Sequence, residues 1–207
     1  MRDLMRLGVL SVLVAPPAAA TELADIGRAL QATRTLVATF RQTGPDGRTV
    51  EGTMTLKRPG RVRFDYGPRS SILVVADGRR LIFVDYRVRQ VSQWPVRDTP
   101  LAVLLDSSAP LSRIARVLPP ERSPVPGAIP VEAHDPKRPD LGRVLILFRP
   151  DSTAPAGLSL LGWRVIDAQN NLTVVELRDL RWNVEVADSV FRFADPRPRP
   201  ARPGAPA

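Results

Sequence analysis

The chain has no cysteine and a single histidine in 207 residues. Without thiols there is no disulfide framework and no residue to carry a lipid anchor, so stability has to come from the core alone. One imidazole leaves little with which to hold zinc or another transition metal. That imidazole, His134, lies beside Asp135 in a proline-rich stretch with no nucleophile motif elsewhere, whereas a catalytic base must be held rigidly. Asp46, Asp77, Asp106 and Asp167 fall at turn positions, where aspartate has an ordinary structural role. No glycine-rich phosphate loop, zinc spacing or aromatic RNA-binding signature is present, and aromatic residues amount to only 5%. These absences argue against an enzyme and against any metal or cofactor. They point to binding by shape and apolar surface.

Long apolar runs are scarce as well. The one at the start, residues 7–15, follows Arg2 and Arg6 and precedes Ala18-Ala19-Ala20. It is too short to span a bilayer and has the three-part pattern of a secretory signal peptide. Residues 1–20 are therefore expected to be an export signal, 21–195 a single domain, and the Pro/Arg-rich 196–207 a disordered tail. Thirty Lys and Arg against 21 Asp and Glu give a net charge of +9. The arginines are scattered through turns and outer strand positions. For an exported chain an anionic membrane or an acidic protein is then a better partner than nucleic acid.

Residues 22–32 read as a short helix capped by Thr21, with Leu23, Ile26 and Leu30 on one face. The period then changes to two. Leu36, Ala38, Phe40 and Gln42 share a face, as do Val50, Gly52, Met54 and Leu56, and then Val62, Phe64 and Tyr66. Apolar segments follow at 71–76, 81–86 and 88–94. About six short antiparallel strands at this spacing make a large sheet or barrel. Residues 100–106, opened by Thr99-Pro100, and 108–118 read as two short apolar helices. Seven prolines between 119 and 142 predict an irregular, mobile connection. Strands resume at 143–148, 158–167, 172–177 and 181–186.

One stretch, Leu56-Lys57-Arg58-Pro59-Gly60-Arg61-Val62-Arg63-Phe64-Asp65-Tyr66, is unusually basic. Pro59-Gly60 is a turn, and Arg61 and Arg63 read as solvated outer-face residues. Arg58 is in phase with Met54 and Leu56, which places it at the edge of the apolar face. It is either snorkelling to water or fastening a covering element.

The ordered set Phe40-x-Gln42, Gly52, Lys57-Arg58-Pro59-Gly60, Phe64-x-Tyr66 and Val75-x-Asp77-Gly78 resembles the LolA-type outer-membrane lipoprotein carriers. So do Val84-Asp85-Tyr86, Thr99-Pro100, Trp163-x-Val165-x-Asp167 and Asp188-Ser189-x-Phe191-x-Phe193. The resemblance implies a mainly β (α+β) fold, an incomplete and strongly curved antiparallel β-barrel covered by a helical lid. It implies a monomeric periplasmic carrier without a cofactor. Its partners would be acylated lipoproteins, an ATP-driven lipoprotein-releasing complex of the inner membrane, and an outer-membrane receptor. Arg58 matches the residue linked in that family to lid opening and closing. Met54, Leu56, Phe64, Phe83, Trp94, Leu101, Leu104 and Ile114 are the cavity-lining candidates, with core packing as the alternative for each. Proteins related to that family also carry other lipids or glycolipids, or sense lipids as envelope regulators.

Overall fold

A computed structural model describes residues 18–99, 102–105, 111–134 and 142–198. Helix α1 (Ala18–Ala32) is followed by six strands, β1 (Thr35–Thr43), β2 (Thr49–Lys57), β3 (Arg61–Asp65), β4 (Ile72–Asp77), β5 (Arg80–Asp85) and β6 (Gln90–Pro95). Next come the short helix α2 (Ala102–Leu105), β7 (Ala115–Val117), β8 (Ile129–Ala133), β9 (Arg143–Pro150), β10 (Leu158–Ile166) and β11 (Leu172–Trp182). All eleven strands form one antiparallel sheet in the order β6-β5-β4-β3-β2-β1-β11-β10-β9-β8-β7. Two meanders are thus joined by the β1–β11 pairing, and β6 and β7 are left as edges.

The alternating segments fold as strands because each has one apolar side to bury. Leu36, Ala38 and Phe40 of β1, Met54 and Leu56 of β2, and Val62 and Phe64 of β3 are buried in the main core. Two strands change phase partway. In β10 the register shifts between Leu160 and Gly162, so the inner face runs Leu158, Leu160, then Trp163, Val165. In β11 an extra residue, at Asp179 with φ of 51°, moves the inner set from Val175 and Leu177 to Leu180 and Trp182. Such bulges bend a strand and increase its twist, which curls the sheet.

Several expectations are corrected. Helix α1 begins at Ala18, so Thr21 lies inside it and does not cap it. Residues 108–118 are not a helix among the described positions. A 3-10 turn at Leu111–Arg113 leads into β7, whose Val117 pairs with Val131. The proline-rich 119–142 holds a strand, β8, although 135–141 lie outside the described residues. The two segments at 172–177 and 181–186 are largely one strand, β11, kept whole by its bulge. Residues 1–17 and 199–207 also lie outside the described set.

Arg61 and Arg63 are not merely solvated. The C-terminal segment 186–193 crosses the outer face of β3 to β5, where Phe191 completes a second cluster with Leu73, Val75, Ile82 and Val84. Lys57 Nζ donates to Val186 O (2.7 Å) and to Asp188 Oδ1 (2.6 Å), and Arg61 reaches the same carboxylate at 2.8 Å. Arg63 Nη1 donates to the carbonyls of Val190 and Arg192. The outer face of the basic hairpin is a clamp for this strap.

Candidate functional site

The concave side of the sheet is filled unevenly. Over the β7–β10 part, α1 packs Ile26, Ala29 and Leu30 into the core and rests on β7, β10 and neighbouring turns. Over β3 to β6 the only α-helical cover among the described residues is the four-residue α2, which sits at the end marked by Gly60 and Val96, and Val74, Leu81 and Phe83 stay only half-buried. The result is an apolar trough with an inner and an outer part, lined separately except that both border Phe64 and Trp163.

The inner part is a closed pocket lined mainly by Leu30, Met54, Leu56, Phe64, Leu104 and Trp163. Its cavity volume is about 30 Å³, room for roughly two waters and far less than an acyl chain fills. The outer part is an open groove of about 420 Å³ walled by Phe64, Tyr66, Val74, Leu81, Trp94 and Val165. Edge-to-face contacts tie its floor together, with Phe40 at 5.4 Å from Phe64 and 5.1 Å from Tyr66, and Phe64 at 6.0 Å from Trp163. Opposite Phe40, residue 52 has to be glycine, because a Cβ there would run into the Asp65 carbonyl oxygen and come within 2.8 Å of the Phe40 ring. Tyr66 Oη donates to Gln42 Oε1 at 3.1 Å, and burial pushes the phenol up to about 12.

Arg58 stands at the closed end. Its Nε donates to Thr33 O (3.0 Å), just past the C-terminus of α1, where a cation also meets the negative end of the helix dipole. Its backbone N–H is bonded to Arg34 O at 2.8 Å. Nη1 is buried in the pocket without a hydrogen-bond partner. Desolvation accordingly pushes the guanidinium down to about 10, which leaves it charged at neutral pH. The contact to α2 is made two residues on, by Gly60 N–H to Leu105 O at 3.1 Å. Gly60 has φ of 71°, and a Cβ would lie 2.9 Å from Gly78 Cα. The Lys57–Gly60 turn therefore holds both covers: the side chain of Arg58 holds α1 and the backbone of Gly60 holds α2.

The structure brings Arg58, Met54, Leu56, Phe64 and Leu104 around the closed pocket, and Trp94 onto the groove with Phe64. Phe83 lines neither space. Ile114 packs against the main core and borders neither cavity. Leu101 lies outside the described residues. Gln42, Tyr66, Leu81, Trp163 and Trp182 line the trough without having been named as site residues. For Trp163 the signal was its alternation with Val165; for Trp182 the bulge at Asp179 hid the phase. His134 is exposed, its backbone N–H bonded to Ile114 O at 2.9 Å.

A curled sheet with an apolar interior and a bonded cover defines a protein built to enclose apolar ligands. The family profile described as outer membrane lipoprotein carrier protein LolA matches residues 31–194, and the chain belongs to that family. A sequence comparison with the curated proteins returns no match. Among solved structures, an uncharacterized conserved protein of Thermus thermophilus shares the fold. It is 12% identical, with a TM-score of 0.50 over 84% of this chain and 94% of its own. A LolA superfamily protein of Nitrosomonas europaea is 14% identical, with a TM-score of 0.41 over 83% and 95%. The Pseudomonas aeruginosa MucA/MucB complex contains a chain 17% identical, with a TM-score of 0.45 over 85% and 62%. No helix of the described residues is long and apolar enough to cross a membrane.

Proposed function

We propose that the protein is a periplasmic carrier that takes the acyl chains of lipoproteins into the trough and shuttles them from the inner to the outer membrane. The observation that carries this reading is the pairing of an open apolar groove with a small inner pocket that borders the same Phe64 and Trp163. Burial of a CH₂ is worth roughly 0.8 kcal/mol, so one palmitoyl chain would contribute on the order of 12 kcal/mol as an upper limit. A carrier that bound so tightly would not deliver. A closed state that fills the same space with α1 and α2 lowers the apparent affinity by competing for it. The bonds from Arg58 to Thr33 and from Gly60 to Leu105 favour that closed state. On opening, the spare Nη1 donor of Arg58 is available to an ester or amide carbonyl of the cargo. The chemistry is reversible binding, with no covalent step and no cofactor. The expected partners are acylated lipoproteins, an inner-membrane ATP-driven releasing complex and an outer-membrane receptor, and the carrier works as a monomer.

Native mass spectrometry of the protein isolated from its own envelope tests the cargo. Lipoprotein adducts are expected. Phospholipid or glycolipid masses alone would replace the reading with that of another lipid carrier. A pull-down dominated by a membrane-bound regulator would replace it with a lipid-sensing role.

A further inference from the structure

The antiparallel register places the β1–β2, β3–β4, β5–β6 and β10–β11 turns at one end of the sheet. Gln42 pairs with Val50, Asp65 with Leu73, Asp85 with Gln90 and Ile166 with Leu172, while Thr43 of β1 faces Val174 of β11. The open groove reaches this end through Gln42, Tyr66, Val165 and Thr173. The opposite end holds Arg58, the Gly60 turn and α2.

Five large apolar side chains are exposed among the described residues, and four of them, Val50, Tyr86, Val88 and Leu172, sit at the open end. The fifth, Trp94, lines the groove itself. Scattered apolar surface residues need no explanation, but their concentration at one end does. Val88, 58% exposed, stands between Arg87 and Arg89 at the β5–β6 tip.

The charges at this end are also unbalanced. Three of its carboxylates are ion-paired, Asp46 with Arg48, Glu51 with Arg41 and Asp65 with Arg63, while Asp85 and Asp167 keep their charge. Asp85 accepts from the N–H of Arg87, and Asp167 from those of Gln169 and Asn171. Arg69, Arg87 and Arg89 form no ion pair among the described residues. Cationic side chains around an apolar and tyrosine-bearing tip match the two layers of an anionic bilayer surface, with headgroups outside and acyl carbons beneath.

We propose that the open end of the trough docks on an anionic phospholipid membrane, with Tyr86 and Val88 entering the interface and Arg69, Arg87 and Arg89 among the headgroups. Net charge draws the protein to the surface; the apolar tips turn the mouth of the groove toward it. Acyl chains then pass between bilayer and groove with little exposure to water. The docking itself stands apart from the carrier reading, and only this last step rests on it.

Sedimentation of the full chain with vesicles tests the proposal. Binding is expected to phosphatidylglycerol-containing vesicles at low salt and not to phosphatidylcholine vesicles, and to weaken as salt rises. Val88→Asp and the pair Arg69→Glu/Arg87→Glu should each reduce it at least tenfold. Arg178→Glu, on the exposed outer face of β11, should change it less than twofold. A fluorescent fatty acid should bind all four proteins equally, which separates loss of docking from loss of the trough. The proposal is overturned by absence of vesicle binding, by equal loss in the Arg178 variant, or by selection of a soluble acidic polypeptide over vesicles. If vesicles bind as expected while the fatty acid does not bind at all, the docking stands and the carrier reading falls.

Discussion

The two meanders of the sheet use similar sequence patterns for different ends. The β7–β11 meander buries Val131, Val144, Ile146 and Phe148 beneath α1, to exposures of 2% or less. The β1–β6 meander buries the outer side of β4 and β5 under the C-terminal strap, yet leaves Val74, Leu81 and Phe83 on its inner side half open. One part is sealed inside. The other is sealed outside and available inside. The difference marks where folding free energy has been collected and where apolar area is left uncovered, stabilisation that a bound chain would supply under the proposed carrier reading.

The contrast can be broken most directly by matched truncations. Phe148→Ala in the sealed half is expected to cost about 3–5 kcal/mol, and Phe83→Ala in the open half about 1 kcal/mol or less. Urea denaturation measures both, and equal losses would end the distinction. Next in size is Gly60→Ala, which puts a side chain at a left-handed φ and against Gly78. A loss of about 1–3 kcal/mol is expected, together with faster uptake of an acyl probe as the contact to α2 loosens. Leu81→Glu should lower acyl-probe affinity at least tenfold, about 1.4 kcal/mol, while moving the unfolding midpoint little. Arg58→Leu should leave stability within about 1 kcal/mol, because an orphaned buried donor is lost along with the bond to Thr33. It should still load acyl chains but release them slowly in a transfer assay; unchanged release would remove the latch role.

The smallest effect concerns the strap. Hydrogen bonds from Lys57 and Arg61 hold Asp188 down to about 2, below its ordinary 3.8. A depressed folded-state value means stabilisation that is complete above the unfolded value and lost as pH falls through the folded one. Hydrogen-exchange protection of residues 186–193 should therefore decline between about pH 4 and pH 2. Asp188→Asn should remove that decline and leave the groove's affinity intact.

The first meander was legible because β1 to β3 keep period-two alternation and three of its turns carry Asp46-Gly47, Pro59-Gly60 and Asp77-Gly78. The second was not, and the reasons are local. Leu111, Ile114 and Leu118 have helical spacing, but the backbone after Arg113 finds a strand partner in 131–133, and pairing overrides spacing. Pro130 hides β8, since proline argues against an inner strand. Its carbonyl accepts from Leu118 N–H at 2.8 Å, so its missing N–H faces the side where the chain turns away at Pro119. Asp179 hides the continuity of β11 by adding one residue. At the site, Arg58 lies just past β2, which ends at Lys57, and its side-chain bond runs to the end of α1. The hold on α2 comes from a backbone N–H, which has no side-chain signature. Arg61 and Arg63 were opaque because their strap partners, the Asp188 carboxylate for Arg61 and the Val190 and Arg192 carbonyls for Arg63, lie far along the chain, where alternation cannot place them.

The free edges of β6 and β7 carry a mechanical consequence. In a fully closed barrel, strand number and shear set the radius, and widening it requires breaking a whole ladder. Here the circumference ends at two edges that do not hydrogen-bond to each other. The curl can therefore relax by small changes of twist spread over many strands, with every existing ladder kept. The bore is an elastic quantity, set by what lies inside it.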